Sequence, residues 1–115
     1  MPVMVLYKDK SISNEVVAEM ANALAAATQK RLKAKIEVRA LEPVYRFNAN
    51  EVHIEMRFRD FGDYTDEQLE HYHSEVMTKL GDILKKHKVI CSYSFYILPS
   101  LPPRSLWAQG STDKD

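Results

Sequence analysis

Apolar residues recur along this chain in two rhythms, alternating in some segments and falling at helical spacing in others. Val3 to Lys8 is short, apolar and β-branched, and reads as a strand. Asp9 to Ser13 is polar and turn-like. From Asn14 to Leu32 the pattern becomes helical: Val16, Met20, Leu24 and Ala27 form one stripe, widened by Val17 and Ala23. Ser13 and Glu15 suit the positive N-terminal end of such a helix, and Lys30, Arg31 and Lys33 suit its C-terminal end. Ile36 to Leu41 reads as a second strand, and Pro43 limits how far it can pair. Asn48, Ala49 and Asn50 make a turn.

Val52 to Arg59 is the clearest strand, because Val52, Ile54, Met56 and Phe58 alternate with His53, Glu55, Arg57 and Arg59. One face is core and the other is polar. After Gly62 and Asp63, Thr65 and Gln68 form a capping box, and a helix runs from there to about His87. Leu69, Tyr72, Val76, Leu80, Ile83 and Leu84 supply its buried stripe. Ile90 to Leu98 reads as the last strand; Pro99, Pro102 and Pro103 stop regular structure immediately after it. Residues 1–110 thus make a single α/β domain (α+β in layout), and Ser111 to Asp115 are a polar tail. The order is β-α-β twice over, each half spanning nearly fifty residues. Strands joined through helices should run parallel with right-handed crossovers. The short link between the second and third strands permits an antiparallel neighbour.

Composition narrows the function classes. The 115 residues suit one domain. Sixteen basic and sixteen acidic residues cancel, so no general electrostatic pull toward nucleic acid or an anionic membrane is expected. Cys91 is the sole cysteine, which precludes an intrachain disulfide and a thiolate zinc cluster. No apolar run approaches the roughly 20 residues of a membrane span, and no secretory signal core opens the chain, so a reducing cytoplasm is the default address. Three glycines, Gly62, Gly81 and Gly110, make no phosphate-cradling loop. His71 and His73 stand two apart on a helix and face different directions, while His53 and His87 are isolated, so no metal is expected. Cys91 reads as a buried, inert thiol.

A proline stands directly after Met1, at the head of the first strand. With the doubled β-α-β order and the opening Pro2-Val3-Met4-Val5-Leu6-Tyr7, the chain resembles the tautomerase superfamily. That superfamily includes macrophage migration inhibitory factor, 4-oxalocrotonate tautomerase and 5-carboxymethyl-2-hydroxymuconate isomerase. The segments Tyr93-Ser94-Phe95-Tyr96-Ile97-Leu98-Pro99 and Arg104-Ser105-Leu106-Trp107 look most like an uncharacterised bacterial branch. The resemblance covers about residues 2–110 and rests on architecture plus Pro2, with no long signature. It implies a four-stranded mixed sheet backed by two helices, and a homotrimer whose sheets surround a central axis. His53, Glu55, Arg57 and Arg59 would then line a wet channel; otherwise they are a solvated sheet face.

The resemblance also implies a chemistry that needs no cofactor. If Met1 is removed, the Pro2 nitrogen is a secondary amine; if Met1 is kept, it is a tertiary amide and no base. An ordinary α-amino group titrates near roughly 7.7–8.0. Burial or nearby Lys and Arg charge lowers that value, which suits a general base at neutral pH. Such a base interconverts keto and enol forms of a small carboxylate-bearing acid. Arg39 lies near where relatives grip the carboxylate with an arginine; its alternative is an ion pair with Glu37 or Glu55. Lys35 is a second candidate, set against an exposed strand-end lysine. Tyr96 falls where relatives place a pocket aromatic, with packing as its alternative. Arg104 and Trp107, with Tyr45 and Arg46, flank the sheet where they could close a pocket; contact between subunits is the default for Trp107. The competing readings are a ferredoxin-like ligand-binding or oligomerisation module of the same element order, and a tautomerase fold without activity.

Overall fold

The computed structural model describes residues 3–43, 51–58, 64–99 and 106–112. The elements are β1 (Val3–Lys8), α1 (Asn14–Leu32), β2 (Glu37–Leu41), β3 (Val52–Phe58), α2 (Asp66–Lys86), β4 (Ser92–Pro99) and β5 (Leu106–Ser111). The strands form one mixed sheet in the order β2-β1-β3-β4-β5. β1 runs parallel to β2, antiparallel to β3; β3 runs parallel to β4, and β4 antiparallel to β5. No helix among the described residues is long and apolar enough to cross a membrane.

Alternation decides which face the helices cover. Met4 and Leu6 of β1, Val52, Ile54 and Met56 of β3, and Phe95 and Ile97 of β4 are buried. Against them lie Val16, Met20, Leu24 and Ala27 of α1, and Leu69, Tyr72, Val76, Leu80 and Leu84 of α2. Both helical stripes are those legible from the sequence. Thr28 and Tyr72 bring polar atoms into this core and satisfy each other. Their hydroxyls lie 2.7 Å apart, and the Thr28 hydroxyl is 2.7 Å from the Leu24 carbonyl. Burial pushes the Tyr72 phenol well above its ordinary range. Lys8 ends β1 on the buried face. Its ammonium donates to the Ile12 carbonyl at 2.9 Å and to the Glu42 carboxylate at 3.0 Å, tying the turn before α1 to the exit of β2.

Four features depart from the sequence reading. First, β2 and β3 are not neighbours. β1, β3 and β4, whose inward apolar residues are buried, take the interior of the sheet, while β2, whose Val38 is only partly buried, is left at the edge. Second, the competing ferredoxin-like reading fails, because β1 and β2 are direct parallel neighbours and no strand splits the β-α-β unit. Third, the capping box is half made. The Gln68 N–H donates to Thr65 Oγ1 at 3.0 Å, but the Gln68 amide reaches the Arg31 carbonyl at 3.1 Å. That carbonyl, in the last turn of α1, has no partner within its own helix. The side chain therefore ties one helix to the other.

Fourth, a fifth strand follows the prolines. Tyr93 and Thr112 secure it. A Cβ on Gly81 would lie 2.7 Å from the Tyr93 hydroxyl oxygen, and one on Gly110 only 2.6 Å from its Cζ, so both backbones approach this ring closely. Thr112 accepts from the Cys91 N–H at 2.7 Å, donates to the Val89 carbonyl at 2.6 Å, and sends its own N–H to the Cys91 carbonyl at 2.9 Å. Ser111 and Thr112 thus belong to the sheet and its closure.

Two stability outcomes follow from this packing. Gly110→Ala should cost roughly 1–3 kcal/mol by overpacking, read from urea unfolding. The penalty should largely vanish in a Tyr93→Ala background; equal penalties in both backgrounds would mean that the ring is not the obstacle. His73 is buried, stacks on Phe95 with ring centroids 5.0 Å apart, and has Nε2 2.9 Å from the Phe95 carbonyl oxygen. Burial lowers its pKa below 6.5 despite that hydrogen bond. Above the unfolded value both states are neutral there and the full stability is present. As pH falls below it, the unfolded chain takes the proton first, so stability drops by up to ~1.4 kcal/mol per pH unit until the folded pKa is reached. His73→Gln, which keeps a donor but cannot titrate, should flatten that acid limb in melts between about pH 6.5 and 5. An unchanged limb would assign it elsewhere.

Candidate active site

Since α1 and α2 cover one face of the sheet, the odd-numbered residues of β1 lie on the face they leave open. Register places three rows across that face. Val3 lies between Glu37 and Arg57. Val5 lies between Arg39 and Glu55, with Tyr96 beyond Glu55 and then position 107. Tyr7 lies between Leu41 and His53, with Ser94 and Gln109 beyond. Val3 and Val5 on β1 are therefore each flanked by an acid on one side and an arginine on the other.

The polar side of β3 is a connected cluster. His53 Nδ1 is 2.6 Å from Ser94 Oγ, and its Nε2 is 3.0 Å from Glu55 Oε2. Tyr7 stacks on the His53 ring at 5.9 Å, and Tyr96 meets it edge-on at 5.0 Å. The other Glu55 oxygen takes Arg57 Nη2 at 3.4 Å. Serine, histidine and glutamate in a chain suggest a nucleophile triad, but Ser94 is 0% exposed, so no substrate reaches its hydroxyl. It orients His53 instead. The sequence showed His53 and Glu55 on one face by alternation. It could not show Ser94, which is set beside them by the β3–β4 register.

The residues singled out from sequence are distributed unevenly. Arg39 holds Glu37 at 2.8 Å through Nε, and this contact lowers the Glu37 pKa and raises that of Arg39. Lys35 is exposed just before β2, at the end where β1 begins. Tyr96 is half-buried beside His53. Arg39 and Tyr96 share a row but stand three strand spacings apart, about 14 Å, so one subunit does not bring them together. Position 107 continues that row on β5, as the register partner of Tyr96. Pro2 and Arg104, with Tyr45, Arg46 and Arg59, lie outside the described residues; Pro2 is bonded to Val3, the first residue of β1.

Other titratable groups stand apart from this face. The Cys91 thiol is buried and pushed up to about 11, first by desolvation and then by the Glu51 charge, so it holds its proton at neutral pH. An open groove on the outer helical surface is lined by Lys30, Arg31, His71, Glu75, Lys79 and Asp82, among others. There Glu75 takes Arg31 at 2.7 Å and Lys30 at 3.6 Å, and the Arg31 hydrogen bond holds its carboxyl below the usual range. Those charges answer one another on the far side of the molecule from the open sheet face. Among the described residues, no three His, Cys, Asp or Glu side chains cluster as metal ligands.

No family model matches the chain, and no curated protein is similar to it in sequence. Solved structures do match in fold. A 5-carboxymethyl-2-hydroxymuconate isomerase from Deinococcus radiodurans R1 superposes with TM-score 0.67 at 13% identity, covering 91% of this chain and 90% of that one. N1, a member of the cis-3-chloroacrylic acid dehalogenase family, gives 0.64 at 16% identity, over 87% and 75%. The F6 fused 4-OT asymmetric trimer gives 0.61 at 12% identity, over 88% and 86%. Shared architecture at such coverage establishes the fold: this chain has the fold of the tautomerase superfamily.

Proposed function

We propose that this chain is a cofactor-independent keto–enol tautomerase of the cytoplasm, acting on a small carboxylate-bearing acid as a homotrimer, with the Pro2 amine as base. The observation that carries the reading is the tautomerase fold with a proline next to Val3, which opens a central strand of the sheet. The trimer is supported by the open sheet face and by the trimeric state of fused 4-OT neighbours. In the keto form, the amine takes the proton from the carbon beside the carbonyl. The C–H electron pair becomes the C=C bond as the C=O pair moves to oxygen. Return of the proton to that oxygen gives the enol, and reversal gives the keto acid. Electrons and protons balance within substrate and amine. Lys35 and Arg39 would draw the carboxylate toward β2, while Tyr96, Trp107 and Arg104, brought by a neighbouring subunit, would close the pocket.

A second reading is a tautomerase fold that binds without turning over. The separation of Arg39 from Tyr96 and the Glu37 contact on Arg39 favour it.

Ketonisation of phenylenolpyruvate or 2-hydroxymuconate, followed by absorbance, separates the two. Wild type with Met1 removed, verified by intact mass, should be active. Pro2→Ala should lose roughly 10²–10⁴-fold in kcat/KM. Below the amine pKa, kcat/KM should fall tenfold per pH unit as the base is protonated. Equal measurable rates for wild type and Pro2→Ala would remove Pro2 as the base, and no rate in either would leave the binding scaffold.

A further inference from the structure

We infer that the edge strand β2 of one copy seats against β3 of the next, with Glu37 meeting the partner's Arg57 and Arg39 meeting the partner's Glu55; this rests on the homotrimer reading and names the charges that set its contact. Measured along β1, Glu37 and Arg57 share the level of Val3, and Arg39 and Glu55 share that of Val5. The two levels stand about 6.6 Å apart. Each carries an acid on one strand and an arginine on the other, and the order is reversed between them. A rotation about an axis parallel to β1 keeps every residue at its own level. In a ring of copies built on such an axis, with β2 of one beside β3 of the next, both acid–arginine pairs form at once. The same head-to-tail contact repeats at each junction until the ring closes.

The next level extends the match into apolar chemistry. Leu41, Tyr7 and His53 lie in one row. Leu41, at the end of the edge strand, is 50% exposed, one of two large apolar side chains so exposed among the described residues. In the same ring it lies against the partner's Tyr7 and the partner's His53, two rings that stack at 5.9 Å. The charges are accessible for such a contact, with the Arg39 and Arg57 side chains 63% and 66% exposed. Each arginine already touches an acid of its own strand, but a guanidinium has five N–H donors, so one acid does not exhaust it. Register is selected as well as contact. A copy displaced by one level sets Glu37 against the partner's Glu55 or, in the other direction, Arg39 against the partner's Arg57. Either slip brings like charges together and opposes association.

Sedimentation velocity of the full-length protein at low salt tests this, with Arg39→Glu, Glu55→Arg, the double variant Arg39→Glu/Glu55→Arg and Leu41→Ser beside wild type. Wild type should sediment as a trimer. Either single reversal sets like charges across the contact and should weaken assembly by roughly tenfold or more. The double variant should recover the trimer, because opposite signs face each other again. Added salt should dissociate it more steeply than wild type, since its contact opposes two acids to two arginines. Leu41→Ser should weaken assembly with little change in salt dependence. Far-UV circular dichroism matching wild type would show that these exposed substitutions leave the fold intact, and a folding defect in the singles would not be repaired by combining them. A trimer indifferent to both reversals, or a double variant no better assembled than the singles, would overturn this contact and leave the homotrimer reading in place. A wild type that is not a trimer would overturn both.

Discussion

Met4 and Leu6 on β1 face Met56 and Ile54 on β3 across the antiparallel pair at the centre of the sheet, and all four are wholly buried. The alternate residues of the same strands are Val3, Val5, Tyr7, His53, Glu55 and Arg57. A slip of one strand by a single residue would turn His53 and Glu55 inward, where unpaired charge is costly, and Ile54 and Met56 outward. Alternation on two strands thus fixes their register. That register fixes which face α1 and α2 must cover, since only one face offers apolar surface to their stripes. It also brings Arg57 opposite Val3, so a core-packing constraint determines which cation lies beside the head of the chain.

Where the sequence was legible, one local signal outweighed its competitors. The stripe Val16, Met20, Leu24 and Ala27 could only be a helix face, and the alternation from Val52 could only be a half-buried strand. Ser13 and Thr65 mark both helix starts because each hydroxyl accepts from an N–H three residues on. What was not legible depends on pairing at long range. The prolines before Leu106 hid β5, whose warrant lies in other elements: Gly81 and Gly110 make room for Tyr93, and Thr112 satisfies backbone groups near Cys91. The central place of β1 follows from comparing burial among strands, which no window of sequence contains.

The candidate site shows the same division. Arg39 was chosen for its place along the chain, yet register sets it a row away from Val3 and about 14 Å from Tyr96. His53, set aside as isolated, has Ser94, Glu55, Tyr7 and Tyr96 around it on the open face. One-dimensional spacing could link His53 to Glu55 alone. The other contacts cross strands, and they convert an apparently solvated strand face into an ordered one.

The order of charges on that face bears on what it can contact. Along β2 Glu37 precedes Arg39, and along β3 Glu55 precedes Arg57; because β2 and β3 run in opposite directions, the two pairs are reversed across the β1 stripe. The Val3 and Val5 rows therefore each carry one acid and one base on either side of an apolar residue. Such a pattern has little net field, so it does not steer ions over long distance. It does reward a partner or substrate that presents opposite charges at the matching spacing, and it opposes one that arrives a row out of step. A small monoanion has no second charge to register, so it settles where the competing acid is weakest. Among the described residues the two acids differ in this respect: Glu55 divides its oxygens between Arg57 and His53, whereas nothing described draws Glu37 from Arg39.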